Sequence, residues 1–291
     1  MKICFATIVG RPNVGKSSLL NAIVGYDVAI VTDTAQTTRD QITGIYTEDN
    51  YQIIFTDTPG IHKPQNKLGE SLNKNAYDSL KNIDLVLFLT PSDEKLGPGD
   101  RLILEKIQNF SNKIGVISKV NKIKGNPELL IEKIKSLEPY GFKQILATDV
   151  DNFKSIDSLI QEIKTYAYEG QAQYDEDYIT DKSMRFIAKE IIRESAINQL
   201  YDELPHSIAV EVENFIEQDE HLTIDATIYV KKSSQKGMVI GKGASKIKKI
   251  GQDARLKISH QFQIPTTLNL KVKIAKKWID DEGMLSRFGY K

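Results

Sequence analysis

One short run constrains the architecture more than any other: ATIVGRPNVGKSSLLNAIVG, residues 6 to 25. An apolar run ends at Val9, a loop bounded by glycines follows, and a helical pattern opens at Lys16. The loop GRPNVGKSS fits the spacing Gly, four residues, Gly-Lys-Ser. In a strand–loop–helix setting, the N–H groups of such a loop and the helix N-terminus cradle phosphate oxygens. The predicted phosphate site is therefore Gly10, Arg11, Pro12, Asn13, Val14, Gly15, Lys16, Ser17 and Ser18. Lys16 belongs against the β and γ phosphates and Ser17 on Mg²⁺. The bland alternative, an accidental glycine loop, leaves the surrounding strand and helix unexplained.

That unit recurs in outline along the first part of the chain. Short apolar runs at Ile3–Val9, Gln52–Thr56, Leu85–Leu89, Ile114–Ile117 and Gln144–Ala147 alternate with amphipathic segments up to about residue 168. Such alternation predicts an α/β domain over 1–168, a mostly parallel sheet with helices on both faces. Residues 169–182, polar and acidic, read as a linker. Residues 183–291 then carry an amphipathic helix at Met184–Leu200 and strand-like runs at His206–Val212 and Leu222–Lys231. A helix–turn–helix pair over about 235–261 and a last strand at Thr267–Ile274 complete a smaller α+β domain. With 291 residues, the chain has room for both domains.

A second phosphate signature supports the first. Asp57, Thr58, Pro59 and Gly60 follow the run QIIFT. A carboxylate at that strand end can bind Mg²⁺, and the Gly60 N–H can reach a γ-phosphate. Alone, DTPG is a common turn; about forty residues after a phosphate loop it gains weight. Between them lies AQTTRD, whose threonines could close over the metal. In GVISKVN, residues 115 to 121, an apolar strand runs into Ser118, Lys119, Val120 and Asn121. A guanine-reading loop would carry Asn, Lys, any residue, Asp there. A shifted register, Asn121-Lys122-Ile123-Lys124, restores the asparagine but puts lysine where a carboxylate is wanted.

Net charge is balanced, 39 basic against 39 acidic side chains, yet its distribution is not. Residues 201–225 hold eight acids and no Lys or Arg, whereas 231–260 hold nine Lys or Arg and one acid, Asp253. That asymmetry predicts an electropositive face for phosphates, against the plainer reading of a solvated basic helix. The turn Gly241-Lys242-Gly243-Ala244 between two helical segments decides for RNA, because a Gly-x-x-Gly turn lets backbone approach nucleotides. Lys232, Lys236, Lys246, Lys248 and Lys249 flank it. Ala244 adds a methyl group and resists a positive φ, so weaker but retained binding is expected. The one cysteine, Cys4, precludes an internal disulfide and reads as a buried thiol. No run approaches the ~18 apolar residues of a membrane span, no cleavable signal is evident at the start, and a cytoplasmic location is expected.

In GRPNVGKS, QTTRD, DTPGIHKP, TDKSMRFIAKEIIRE, ELPHSIAVEVE, IYVKKSSQKGMVIGKG, KKIGQDAR and the final FGY, the chain resembles the Era family of bacterial GTPases across nearly its whole length. The resemblance implies a Ras-like GTPase domain followed by a type II KH domain. It implies GTP and GDP as ligands with Mg²⁺, and the 3′ end of 16S ribosomal RNA and the 30S subunit as partners. Assembly of the small subunit, a monomeric state and peripheral contact with the inner membrane follow from the same resemblance. Thr38 is the Mg²⁺ ligand of the first switch, with Thr37 as the alternative. Ile61 stands where Ras-type enzymes carry a water-positioning glutamine, so slow hydrolysis is expected. Asn13 either binds K⁺ or caps its own loop. Lys16, Thr38 and Gly60 form the catalytic set. Ser118, Lys119 and Asn121 fall on the base-reading triplet, and the N–H of Val150 falls where the guanine oxygen is met. The competing reading is an RNA-binding scaffold whose nucleotide domain no longer cycles.

Overall fold

In the computed structural model, residues 1–34, 37–61, 64 and 66–290 are described. His62 and Lys63 of the DTPGIHKP block, and Ala35 and Gln36 of AQTTRD, lie outside them. The chain forms two compact units, one of Met1–Ala29, Thr38–Pro64 and Leu72–Asp181, the other of Ile30–Thr37, Gln65–Ser71 and Lys182–Lys291.

The first unit is built on a sheet in the order β2-β3-β1-β4-β5-β6, with β7 paired to β1. The predicted strands appear as β1 (Lys2–Val9), β3 (Tyr51–Asp57), β4 (Leu85–Pro91), β5 (Lys113–Ser118) and β6 (Gln144–Ala147). β1 runs parallel to both β3 and β4, β4 to β5, and β5 to β6. The two additions are antiparallel: β2 (Ile42–Glu48) on β3, and β7 (Tyr168–Glu169) on β1. All seven residues of β4 are buried, as expected of a central parallel strand covered on both faces. Strand order reverses at β1, so the loop after Val9 leaves the sheet at its switch point, where such folds bind ligands.

The stretch 169–182, expected as a linker, lies against the first unit. It carries no helix, but it is not a free tether. The Ile45 N–H donates to the Ile179 carbonyl at 2.7 Å, and Gln52 bonds Tyr174 and Gln173 through both ends of its amide. Those bonds fasten it to the first unit because a buried amide such as Gln52 must find partners.

The second unit holds α6 (Met184–Ile197), β8 (Ala209–Gln218), β9 (His221–Val230), α8 (Ser233–Ile240), α9 (Ser245–Phe262) and β10 (Thr266–Ile274). β9 is central, antiparallel to β8 and parallel to β10. The order helix, strand, strand, helix, helix, strand is the type II arrangement. Its core joins Ile191, Ile192, Ile228, Val239, Ile250 and Ile258. Within this unit Arg193, fully buried and paired with Glu190, also donates to the Thr37 carbonyl at 2.6 Å. The expected strand at 206–212 begins only at Ala209, because Leu204–Ser207, with Pro205 in its first turn, winds as a short helix.

Candidate nucleotide and RNA sites

The phosphate loop turns on two left-handed residues, Asn13 at φ 63° and Gly15 at φ 100°. Asparagine tolerates that region and glycine is indifferent to it. Gly10 and Gly60 are required for a different reason, close approach. A Cβ on Gly10 would lie 2.6 Å from the Leu89 carbonyl oxygen, and one on Gly60 would lie 2.6 Å from the Pro12 nitrogen. DTPG is thus pressed against the loop it was expected to serve.

Lys16 opens α1 (Lys16–Val24), is buried, and donates from Nζ to the carbonyls of Gly10 at 3.2 Å and Arg11 at 3.0 Å. Burial lowers its pKa from 10.5 to about 8, partly opposed by the charge on Asp57. Ser17 Oγ donates to Asp57 Oδ2 at 2.6 Å and lies 2.8 Å from Thr38 Oγ1. Asp57 is fully buried; burial raises its pKa, while Lys16, the Ser17 hydroxyl and the Thr58 N–H pull it back. Its Oδ1 has no hydrogen-bond partner. An orphaned buried carboxylate oxygen beside two hydroxyls is the donor set a small hard cation takes, so these residues fit Mg²⁺.

Of the two candidate threonines, geometry favours Thr38. The Thr37 hydroxyl is occupied, 2.5 Å from Thr32 Oγ1 and donating to the Thr34 carbonyl at 2.6 Å. Thr58 is also buried and donates to the Ile8 carbonyl at 3.1 Å. Pro59 is buried beside it, Ser18 is half-buried on α1, and Val14 is buried under the loop. Ile61 is 1% exposed in the apolar cluster with Val86 and Phe88, so it cannot orient a water. Arg11 points away: Nη2 meets Glu94 at 2.8 Å and Nε lies 2.7 Å from Asp100, a fully buried partner that no motif announced.

The base-reading candidates come together at the ends of β5 and β6. Ser118 is the last residue of β5 and donates to the Val14 carbonyl at 2.7 Å. Lys119, left-handed at φ 57°, donates from Nζ to the Asn13 carbonyl at 2.6 Å. A 3₁₀ turn follows over Val120–Ile123. Because the strand stops at Ser118, the register placing Ser118, Lys119 and Asn121 at the site is the better supported one. The Val120 N–H faces the Thr148 carbonyl at 3.5 Å, setting the 148–150 loop alongside.

In the second unit Gly241 has φ 74°, Gly243 φ 59° and Ala244 φ 62°. A Cβ on Gly241 would lie 2.8 Å from the Lys246 Cβ. Lys232, Lys242, Lys248 and Lys249 are exposed, and Lys236 and Lys246 are half-buried, with Lys246 Nζ 5.7 Å from the Tyr201 ring centre. Between them, α9 and β10 line a cleft of about 380 Å³ with Ile247, Lys248, Gln252, Arg255, Asn269 and Leu270. Of these only Lys248 was anticipated. Lys248, Gln252 and Arg255 recur at helical spacing and share one face, a signal present in the sequence.

The model of the family described as "50S ribosome-binding GTPase" matches residues 5–122, and that of the KH domain matches residues 203–279. GTPase Era of Mycoplasmopsis agalactiae is 63% identical over 290 residues, with 100% of both chains covered. GTPase Era of Mycoplasmopsis pulmonis is 54% identical over 292 residues, with 99% of each covered. Among solved structures, Era in complex with MgGDPNP and nucleotides 1506–1542 of 16S ribosomal RNA superposes with a TM-score of 0.92. It is 35% identical and covers 100% of this chain and 99% of its own. An Aquifex aeolicus Era variant bound to GDP·AlF₄⁻ matches with the same identity, coverage and TM-score.

Proposed function

This chain belongs to the Era family of GTPases, and on that premise we propose that it is a GTP-hydrolysing switch that binds 16S ribosomal RNA near its 3′ end. Residues 183–291 are the RNA-binding domain, and the switch assists assembly of the small ribosomal subunit. What carries the reading is one arrangement: Lys16, Ser17, Thr38 and the orphaned oxygen of Asp57 gathered at the switch point of a parallel sheet. A scaffold that never cycled would have no use for that set.

Lys16 holds the β and γ phosphates; Ser17, Thr38 and Asp57 would hold Mg²⁺, which would supply positive charge against the phosphate oxygens. The Gly60 N–H faces the γ-phosphate. Asn13 would hold K⁺, which would supply positive charge near the phosphates, while the aliphatic Ile61 leaves the attacking water without a side chain to orient it. Lys242, Lys246 and the backbone of the 241–244 turn take RNA phosphates, with Lys232, Lys236, Lys248 and Lys249 around them. No helix among the described residues is long and apolar enough to cross a membrane. The protein works in the cytoplasm as a monomer, with peripheral contact at the inner membrane carried by the family resemblance alone.

The test is RNA binding by the full chain against salt. Affinity for a single strand should fall steeply with ionic strength, since phosphate contacts release counterions. Gly241→Asp places a Cβ against Lys246 and a negative charge at the turn, and should abolish binding. Unchanged affinity in that variant would remove the RNA assignment.

A further inference from the structure

The loop at the end of β5 keeps the architecture of a base-reading loop and lacks its carboxylate. Ser118 and Lys119 are tied to the phosphate loop through the Val14 and Asn13 carbonyls, so a nucleotide with its phosphates at Lys16 has its base beside this turn. Asn121 lies in the turn over Val120–Ile123, is exposed, and its side chain has no hydrogen-bond partner among the described residues. The Val150 N–H on the neighbouring loop likewise lacks an acceptor, and Val150 is 42% exposed. Two polar groups in the loops after β5 and β6 are therefore without a protein partner among the described residues, one a backbone donor and the other an amide.

Resting on the nucleotide reading above, we propose that this site selects 6-oxopurine nucleotides without selecting the 2-amino group of guanine, and that Asn121 is the residue responsible. The hydrogen-bond inventory gives the reason. The Val150 N–H donates to a 6-carbonyl and opposes the 6-amino group of adenine. The ring N1–H of any 6-oxopurine donates to Asn121 Oδ1. What remains of the asparagine is an NH₂ group, which can only donate. Xanthine presents a carbonyl at position 2 and accepts that bond. Hypoxanthine presents only a hydrogen. Guanine presents a second donor, which an aspartate would have accepted and an amide cannot.

Other carboxylates on these loops are not placed to substitute for the missing one. Asp93 is paired with Lys122 at 3.0 Å, and Asp149 Oδ1 accepts from the Asp151 N–H at 3.2 Å in its own turn. Asp151 is exposed. The Ser118 hydroxyl braces the Val14 carbonyl, so the end of β5 is tied to the phosphate loop without an amide there. The two substitutions are thus unequal. Ser118 preserves the architecture; Asn121 changes what it reads.

The experiment is calorimetric binding of GDP, XDP, IDP and ADP, each with Mg²⁺, to the full chain and to Asn121→Asp. An exposed turn residue whose side chain makes no hydrogen bond among the described residues accepts this substitution without threatening the fold. The expected result is XDP binding at least as tightly as GDP, IDP close to both, and ADP far weaker. Asn121→Asp should tighten GDP by about ten- to a hundredfold, the value of one charge-assisted hydrogen bond gained and one donor–donor clash removed, and should weaken XDP. A wild-type chain that binds GDP a hundredfold or more above XDP overturns the inference and assigns the missing acceptor to Asp149 or Asp151. No binding of any of the four would instead overturn the nucleotide reading on which the inference rests.

Discussion

Replacing Ala244 by glycine should stabilise the RNA-binding domain and improve its grip on RNA. Ala244 holds φ 62° and ψ 20°, a left-handed conformation, and forms the N-cap of α9. The left-handed region costs an L-residue roughly 1–2 kcal/mol, because Cβ crowds the following carbonyl. Glycine escapes that cost but gives back about 0.4–1 kcal/mol through the greater freedom of its unfolded chain. The difference is about 1 kcal/mol in favour of Ala244→Gly, or roughly 4 °C in the melting temperature of a domain of about 100 residues. Differential scanning calorimetry of residues 1–291 reads this as an upward shift of one transition. The same substitution removes a methyl group from the turn that phosphates approach, so RNA affinity at fixed salt should rise a few-fold. A melting temperature that stays put or falls would refute the strain argument, since nothing else in the turn changes: the Ala244 N–H bond to the Gly241 carbonyl, 3.1 Å, survives in glycine.

Two further outcomes follow from the phosphate loop. Burial holds Lys16 near pKa 8 in the free protein, and a bound phosphate must raise it. The lysine contribution to nucleotide affinity is therefore complete below pH 8 and is lost as pH rises, by up to about tenfold per unit; a flat affinity between pH 7 and 9.5 would contradict this. Hydrolysis should be faster in KCl than in NaCl at matched ionic strength, because Asn13 is exposed on the loop and Ile61 is buried where no water can be oriented. Equal rates would remove K⁺ from the mechanism.

Legibility in the sequence followed how each element earns its place. β1, β3, β4, β5 and β6 are continuous apolar runs because both their faces are covered, and such runs are readable without partners. β2 was not readable. Its ITGIYTE carries a glycine mid-strand, where glycine ordinarily argues against a strand. The structure supplies the reason: a Cβ on Gly44 would lie 2.5 Å from Leu20 Cδ1, so the strand needs glycine to let α1 pack. β7 is two residues long and has no periodicity to detect. The outer half of β8 hides for another reason. Its register shifts between Val212 and Asn214, and Asn214, Ile216, Glu217 and Gln218 beyond it are exposed, so polar and apolar residues no longer sort by face. Among site residues, Lys16, Ser17, Asp57 and Gly60 were legible because phosphate chemistry fixes their spacing. Asp100 and Asn269 were not, because each gains meaning only from a neighbour distant in sequence, such as Arg11 across to Asp100.

The central claim, a catalytic nucleotide switch built on Lys16 and the Ser17–Thr38–Asp57 cluster, is tested most directly by GTP turnover. Phosphate release is followed with the full chain in Mg²⁺ and K⁺, for wild type and Lys16→Ala, with RNA affinity measured on the same preparations. The account predicts slow hydrolysis by wild type, lowered by about a hundredfold or more when the lysine charge is removed, and RNA affinity equal in both proteins without nucleotide. Hydrolysis that is undiminished in Lys16→Ala, or absent from a wild type that binds GTP and Mg²⁺, would contradict it.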